Sequence, residues 1–120
     1  MLRINDYQLA RLALVTREAV HRDLSARLGH EHPELAEEAE DIVAGAMADA
    51  AEVEIHEVEA IYRMAQLAQL PGYPNVPGKW GALIPRALAN RLAADEARLT
   101  FIERELVPRI HRELEDTTNG

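Results

Sequence analysis

The chain has 120 residues, no cysteine and a formal net charge of −8 at pH 7. This length suits one domain that can bury a core without cross-links, and the lack of cysteine excludes disulfides, thiolate metal sites and a cysteine nucleophile. The apolar residues are mostly alanine and leucine, with one Trp, three Tyr and one Phe, a composition that favours helices over sheets.

The first half of the chain predicts two long amphipathic helices. Apolar residues recur at helical spacing from about Asp6 to Leu28, and Gly29 stands where a glycine often ends a helix. Pro33 suits the first position of a second helix. Within that helix, Gly45 and many alanines indicate a close crossing with another helix.

Proline and glycine divide the second half of the chain. We expect helix two to break from helix three near residues 53–55, where a new apolar register begins. Residues 71–80 read PGYPNVPGKW, and their three prolines and two glycines predict a loop with a fairly rigid path. A fourth helix spans about residues 80–92, in which Pro85 either introduces a kink or opens a second short helix.

The last predicted helix runs from Asp95, its expected N-cap, to about Glu115. Pro108 should bend this helix because it lacks a backbone N–H and clashes with the preceding turn, and residues 116–120 should fray. Together these elements predict one all-α domain over residues 1–120, a compact bundle of four to five amphipathic helices.

The negative charge is concentrated in one quarter of the sequence. Residues 31–59 contain eleven Asp or Glu and no Lys or Arg, whereas the remainder has ten acidic and thirteen basic residues. Such a run is most often a solvated helix face, but its field would also steer a basic partner towards it. It argues against nucleic acid as the partner, since nucleic acid requires a basic surface.

Two surfaces are candidates for binding a protein partner. The first is the acidic face that continues from helix two into helix three. The second is the loop with Tyr73 and Trp80, since both residue types are favoured anchors at interfaces; packing on the protein's own core is the alternative for both rings. The predicted partner-binding residues are Glu37, Glu38, Asp41, Asp49, Glu52, Glu59, Tyr73 and Trp80.

No set of residues has the spacing of a catalytic site. Ser25, the one serine, lies inside a predicted helix, and the scattered glycines do not form a phosphate-binding loop. Glu18 and His21 have the Glu-x-x-His spacing of di-iron bundles, but the second pair and the further inward carboxylates of such sites are missing from the sequence pattern. We therefore interpret this pair as solvent-facing and predict no enzyme activity, no metal and no cofactor.

The sequence contains no apolar run that would serve as a signal peptide or as a membrane span. We accordingly expect a cytoplasmic protein, or one that a secretion machine exports together with a partner, and we expect no membrane partner.

Several short segments follow one another in a characteristic order over about residues 1–90. They are Met1-Leu2-Arg3-Ile4, Gln8-Leu9 with an Ala-rich helix, His32-Pro33-Glu34, Glu54-Ile55-His56-Glu57, and the loop from Pro74 to Trp80. This order resembles a family of small all-helical proteins encoded in bacterial type VI secretion effector clusters. The chain has Glu54 where that family usually has a glycine before Ile55, and its last helix is longer. The resemblance implies a non-enzymatic accessory protein, a chaperone or adaptor for a secreted effector or a spike component.

Two other functions remain open. The acidic face also suits an immunity protein that neutralises a basic toxin, such as a nuclease, by charge mimicry. Alternatively, several copies of the chain assemble into a metal-binding helical bundle in which Glu18 and His21 pair across a symmetric interface.

Overall fold

The computed structural model describes the backbone of residues 6–119 and the side chains of residues 16–116. Within this part of the chain, all regular structure is helical and no strand occurs, which confirms the all-α prediction. The segment Met1 to Ile4, which contributes to the family resemblance, lies outside the described residues, as do the side chains of Gln8 and Leu9. The chain divides into two compact units, Met1–Gly45 and Ala46–Gly120.

The helices of the described chain are more numerous and mostly shorter than the sequence predicts. Three segments with other helical geometries connect them: 3₁₀ turns at Pro33–Leu35 and Leu67–Gln69, and a π segment at Ile102–Leu106. The α-helices are α1 (Asp6–Glu31), α2 (Ala39–Glu52), α3 (Val58–Gln66), α4 (Gly78–Gly81), α5 (Ile84–Leu88), α6 (Asp95–Phe101) and α7 (Val107–Asn119).

In the first unit, α1 continues through Gly29, so the prediction that this glycine ends the helix is wrong. A Cβ on Gly29 would lie 3.4 Å from the Cα of Ala36, so the glycine serves the close approach of the following turn. The same turn corrects a second prediction, because Pro33 opens a 3₁₀ turn and α2 begins only at Ala39. The predicted apolar stripe is confirmed where it is described near the end of α1, since Leu24 and Leu28 are buried.

The end of α2 confirms the predicted break from α3. The N–H of Ile55 donates to the carbonyl of Ala50 at 2.9 Å, and Glu54 takes a left-handed backbone conformation with φ of 58°. This pattern is a Schellman ending, in which the chain turns sharply out of the helix. The predicted close crossing at Gly45 is wrong, because none of the described atoms outside its own helix turn lies within 4 Å of a Cβ built there.

The second unit packs α3, α5, α6 and α7 around a core of large apolar side chains. Pro85 lies at the start of α5, so of the two alternatives for this proline the structure forms the second short helix. This helix ends at Leu88, earlier than predicted, and Leu92 is fully exposed. Fully buried members of this core are Ile55, Tyr62, Met64, Ile84, Leu99, Ile102, Leu106 and Ile110.

The last helical stretch is continuous but irregular. Pro108 cannot donate a hydrogen bond to the preceding turn, and the residues just before it form the π segment, so the expected disturbance takes the form of a wider turn. The helix continues to Asn119, beyond residue 116, where fraying was expected to begin.

Asp95 does not have the role predicted for it. It is the first residue of α6, whose N-cap is Ala94. Its carboxylate accepts hydrogen bonds from the N–H groups of His56 at 2.7 Å and Glu57 at 2.9 Å, so it caps the N-terminus of α3 instead. The N–H of Glu57, and then that of His56, lowers the pKa of Asp95 below its ordinary value. Sequence spacing could not show this cap because donor and acceptor lie almost forty residues apart.

Candidate functional site

The structure brings together three of the eight predicted partner-binding residues. Asp49, Glu52 and Tyr73 line one cleft in the second unit, where the end of α2, the loop at residues 70–77 and α5 meet. The acidic surface and the aromatic loop, predicted as separate candidates, therefore share a site. We call this site the acidic cleft. Its residues are Asp49, Glu52, Val53, Tyr73, Pro74, Ile84, Pro85 and Leu88.

Helical spacing explains how each wall of the acidic cleft forms. On α2, Asp49 lies three residues before Glu52 and four before Val53, so the three side chains share one face. Ile84 and Leu88 have the same relation on α5, which begins at this point because Pro85 suits the first turn of a helix. The sequence contains both patterns but does not show that they face each other.

The cleft has a volume of about 190 Å³. This is several times the ~30 Å³ that a water molecule occupies in the liquid. It is smaller than the ~300–1,000 Å³ of sites for drug-sized molecules. The space therefore fits one long side chain from a partner better than a large free ligand.

The electrostatics of the acidic cleft favour a cation. Burial, and then the charge of Glu52, raises the pKa of Asp49 above its ordinary value. Burial, and then the charge of Asp49, raises the pKa of Tyr73 to about 12. Among the described residues, neither carboxylate takes part in an ion pair, and no lysine or arginine lines the cleft. A bound cation would supply the positive charge that the cleft lacks and would stabilise the ionised carboxylates.

The apolar walls complement the carboxylates. Ile84 and Leu88 are buried, Val53 is half-buried, and the rings of Pro74 and Pro85 add further carbon surface. Lysine and arginine side chains carry their charge on an aliphatic stem that packs well on such surfaces. The combination of walls and carboxylates therefore fits a basic side chain in both charge and polarity.

Trp80 lies outside the acidic cleft, is half-buried, and contacts side chains of the protein itself. Two cations contact its ring: the Nζ of Lys79 is 5.0 Å from the ring centroid, and the Cζ of Arg109 is also 5.0 Å away. Such cation–π contacts form within about 6 Å of the ring centroid. The contact with Arg109 joins α4 to α7, so the ring has an internal structural role, and its predicted role in partner binding stays a prediction.

The remaining predicted residues are spread over the surface. Glu37, Glu38 and Asp41 are exposed around the start of α2 in the first unit, and Glu59 is exposed in the first turn of α3. None of the four lines the acidic cleft. Their predicted roles in partner binding are untested by this geometry.

Of the Glu18 and His21 pair, the histidine has a structural contact within the first unit. The Nε2 atom of His21 is 2.9 Å from the carbonyl oxygen of Glu40, so this ring links α1 to the start of α2. In the part of the chain whose side chains are described, no group of three or more His, Asp or Glu could hold a metal ion. A metal site shared between copies of the chain is a separate hypothesis that stays open.

Comparison of the chain with models of protein families, with curated proteins and with solved structures finds no match. Among the described residues, none of the helices combines the length and the apolar character that crossing a lipid bilayer requires.

Proposed function

We propose that this chain is a non-enzymatic binding protein whose acidic cleft receives a lysine or arginine side chain of a protein partner. The observation that carries the proposal is the convergence of Asp49, Glu52 and Tyr73 on one small, otherwise apolar cleft. An unpaired carboxylate pair in such a setting gains most from a cation whose stem covers the carbon walls.

The acidic run at residues 31–59 supports the proposal at longer range. Its field attracts a basic surface before contact, which raises the association rate, whereas the cleft supplies the short-range fit. The steering and the fit predict different responses to mutation, because steering depends on total charge and fit depends on particular carboxylates.

The resemblance to proteins of type VI secretion effector clusters supplies the class of partner. We propose that the chain acts as a chaperone or adaptor for a secreted effector or a spike component, either retained in the cytoplasm or exported with that partner. Both roles require a stable complex with a protein encoded close by, which makes the neighbouring gene products the first partners to test.

The test is co-purification of the chain with each of those gene products at low salt, followed by measurement of the Kd of any complex. The Asp49→Asn/Glu52→Gln variant removes both cleft carboxylates. The Glu115→Gln/Asp116→Asn variant removes the same charge from exposed positions of α7 outside the cleft and is the matched control. We expect the Kd to rise at least tenfold, about 1.4 kcal/mol, for the cleft variant and less than threefold for the control.

Two results would overturn the proposal. One is that no neighbouring protein is retained. The other is that both double variants weaken the complex equally, because the complex would then depend on overall charge and not on the cleft.

The second candidate function is an immunity protein for a basic toxin, favoured by the complete absence of Lys and Arg from residues 31–59. Growth rescue separates the two roles. An immunity protein restores growth to cells that make the toxin, whereas a chaperone or adaptor raises the yield of the partner without protecting the cell.

A further inference from the structure

A second cavity in the Ala46–Gly120 unit differs from the acidic cleft in the charge of its polar groups. It has a volume of about 520 Å³ and lies between α5 and α6. Helix α5 borders both cavities, but no residue lines both of them. Its apolar walls include Leu83, Ala87 and Phe101, and its polar groups come from Arg86, Asn90 and Arg98. No Asp or Glu lines it. We call it the arginine pocket.

Arg98 is the central group of this pocket, and it is only 5% exposed. Its Nε donates to the carbonyl of Ala93 at 2.9 Å, and its Nη1 donates to the carbonyls of Val53 at 2.7 Å and Leu88 at 3.0 Å. These bonds fix the plane of the guanidinium. No ion pair with a carboxylate forms within the described residues, although Asp95 is near enough for the Arg98 charge to help lower its pKa.

The Nη2 atom of Arg98 donates no hydrogen bond to the described residues, so its two N–H groups remain available in a fixed, buried residue that lines the pocket. One N–H group of Nη2 can donate to a carboxylate oxygen, and hydrogen bonds between two charged groups are roughly twice as strong as neutral ones. Arg86, which is exposed on α5, adds a second positive charge to the same pocket. The polar side of the pocket therefore fits a carboxylate.

The apolar side of the pocket indicates what carries that carboxylate. Phe101 is 49% exposed and lines the pocket, so it offers apolar surface there. A second groove, along the exposed face of α6, continues from the pocket and shares Ala97 and Phe101 with it. A small free acid would fill only the pocket, whereas a polypeptide would follow the groove and end in the pocket.

We infer that the arginine pocket binds the C-terminal carboxylate of a partner polypeptide that ends in an apolar residue. The carboxylate pairs with Nη2 of Arg98 and with Arg86, the last side chain packs on Leu83 and Ala87, and the preceding residues pass over Phe101 along α6. This inference stands on residues other than those of the acidic cleft, so it holds or fails independently of the proposed function.

The test uses the full chain and a fluorescein-labelled pentapeptide of four alanines ending in leucine, prepared with a free C-terminus and as the amide. Fluorescence anisotropy should give at least tenfold tighter binding for the free acid than for the amide. In the ¹⁵N spectrum of the protein, the Nε signal of Arg98 should shift on addition of the free acid only.

Variants locate the binding without altering Arg98, whose replacement endangers folding. Arg86→Gln and Phe101→Ser should each weaken binding of the free acid about tenfold. Arg112→Gln, which removes an exposed charge outside the pocket, is the matched control and should change the Kd less than twofold. The Asp49→Asn/Glu52→Gln variant should bind the peptide as the wild type does, which keeps this result separate from the test of the acidic cleft.

Three results would overturn the inference. The first is equal binding of the free acid and the amide, and the second is an Arg86→Gln variant that binds as well as the wild type. The third is displacement of the peptide by octanoate at equal concentration, because the pocket would then be a site for small carboxylic acids.

Discussion

Replacement of Glu54 by glycine should give a more stable protein than replacement by alanine. Glu54 follows α2 with φ of 58°, and the hydrogen bond from Ile55 to Ala50 holds it there. A non-glycine residue in this left-handed conformation costs about 1–2 kcal/mol because Cβ crowds the following carbonyl.

The size of the effect follows from three contributions. Relief of the left-handed strain adds about 1–2 kcal/mol to the free energy of unfolding, and the greater freedom of glycine in the unfolded chain removes about 0.5–1 kcal/mol. The variant also loses the ion pair between Glu54 and Arg91, which spans 3.2 Å between side chains about 60% exposed. Such exposed pairs contribute about 0–1 kcal/mol.

The difference in stability between Glu54→Gly and Glu54→Ala does not include the ion pair with Arg91, because both variants lack it. We expect the glycine variant to be more stable than the alanine variant by about 0.5–1 kcal/mol. This corresponds to a melting temperature higher by about 2–5 °C for a chain of this length. Thermal and urea unfolding followed by circular dichroism would measure both differences.

A matched control tests whether the benefit belongs to the left-handed conformation. Ala48 is exposed within α2, so Ala48→Gly should destabilise the protein by about 1 kcal/mol. An alanine variant at position 54 as stable as the glycine variant, or more stable, would refute the reasoning, since it would mean that the left-handed backbone carries no strain.

Four further predictions concern single residues. Asp95→Ala should lower the free energy of unfolding by about 1–2 kcal/mol at pH 7 because the α3 cap is lost. The pKa of Asp95 is lowered in the folded protein, so this difference from the wild type should shrink when urea unfolding is measured below about pH 4. Arg98→Met should cost at least about 3 kcal/mol in urea unfolding, since three carbonyls lose a charged donor. Asp49→Asn should be as stable as the wild type or more stable at pH 7, and the wild type should gain on the variant as the pH falls through the raised pKa of Asp49. Gly45→Ala should raise the free energy of unfolding by about 0.5–1 kcal/mol, since its Cβ would meet open space.

Each of these four predictions has a result that would contradict it. For Asp95→Ala, it is a difference in the free energy of unfolding that does not change with pH. For Arg98→Met, it is a loss of less than about 1 kcal/mol, which is the net value of one ordinary hydrogen bond. For Asp49 it is a clear loss of stability at neutral pH, which would show that its charge stabilises the fold. For Gly45 it is a loss of stability, which would show that the missing side chain is needed for packing.

Local patterns predicted the features that depend on neighbours in sequence. The composition predicted an all-α protein, the change of apolar register predicted the end of α2, and Pro85 predicted the start of α5. Each of these depends on interactions within a few residues, such as capping, helical periodicity and the missing N–H of proline. Gly29 and Gly45 were misread because a glycine in a helix looks the same in sequence whether it ends the helix, allows a close approach or faces solvent.

The sequence by itself determined that Asp49, Glu52 and Tyr73 are polar or aromatic residues in an acidic helix and a proline-rich loop. Only the tertiary structure decided that they share a cleft, because twenty residues separate Glu52 from Tyr73 and the path of the loop depends on packing against α5. The same holds for Arg98, whose three acceptors come from three different segments. Long-range pairings of this kind depend on how helices pack, and helical periodicity specifies which face is buried but not which partner covers it.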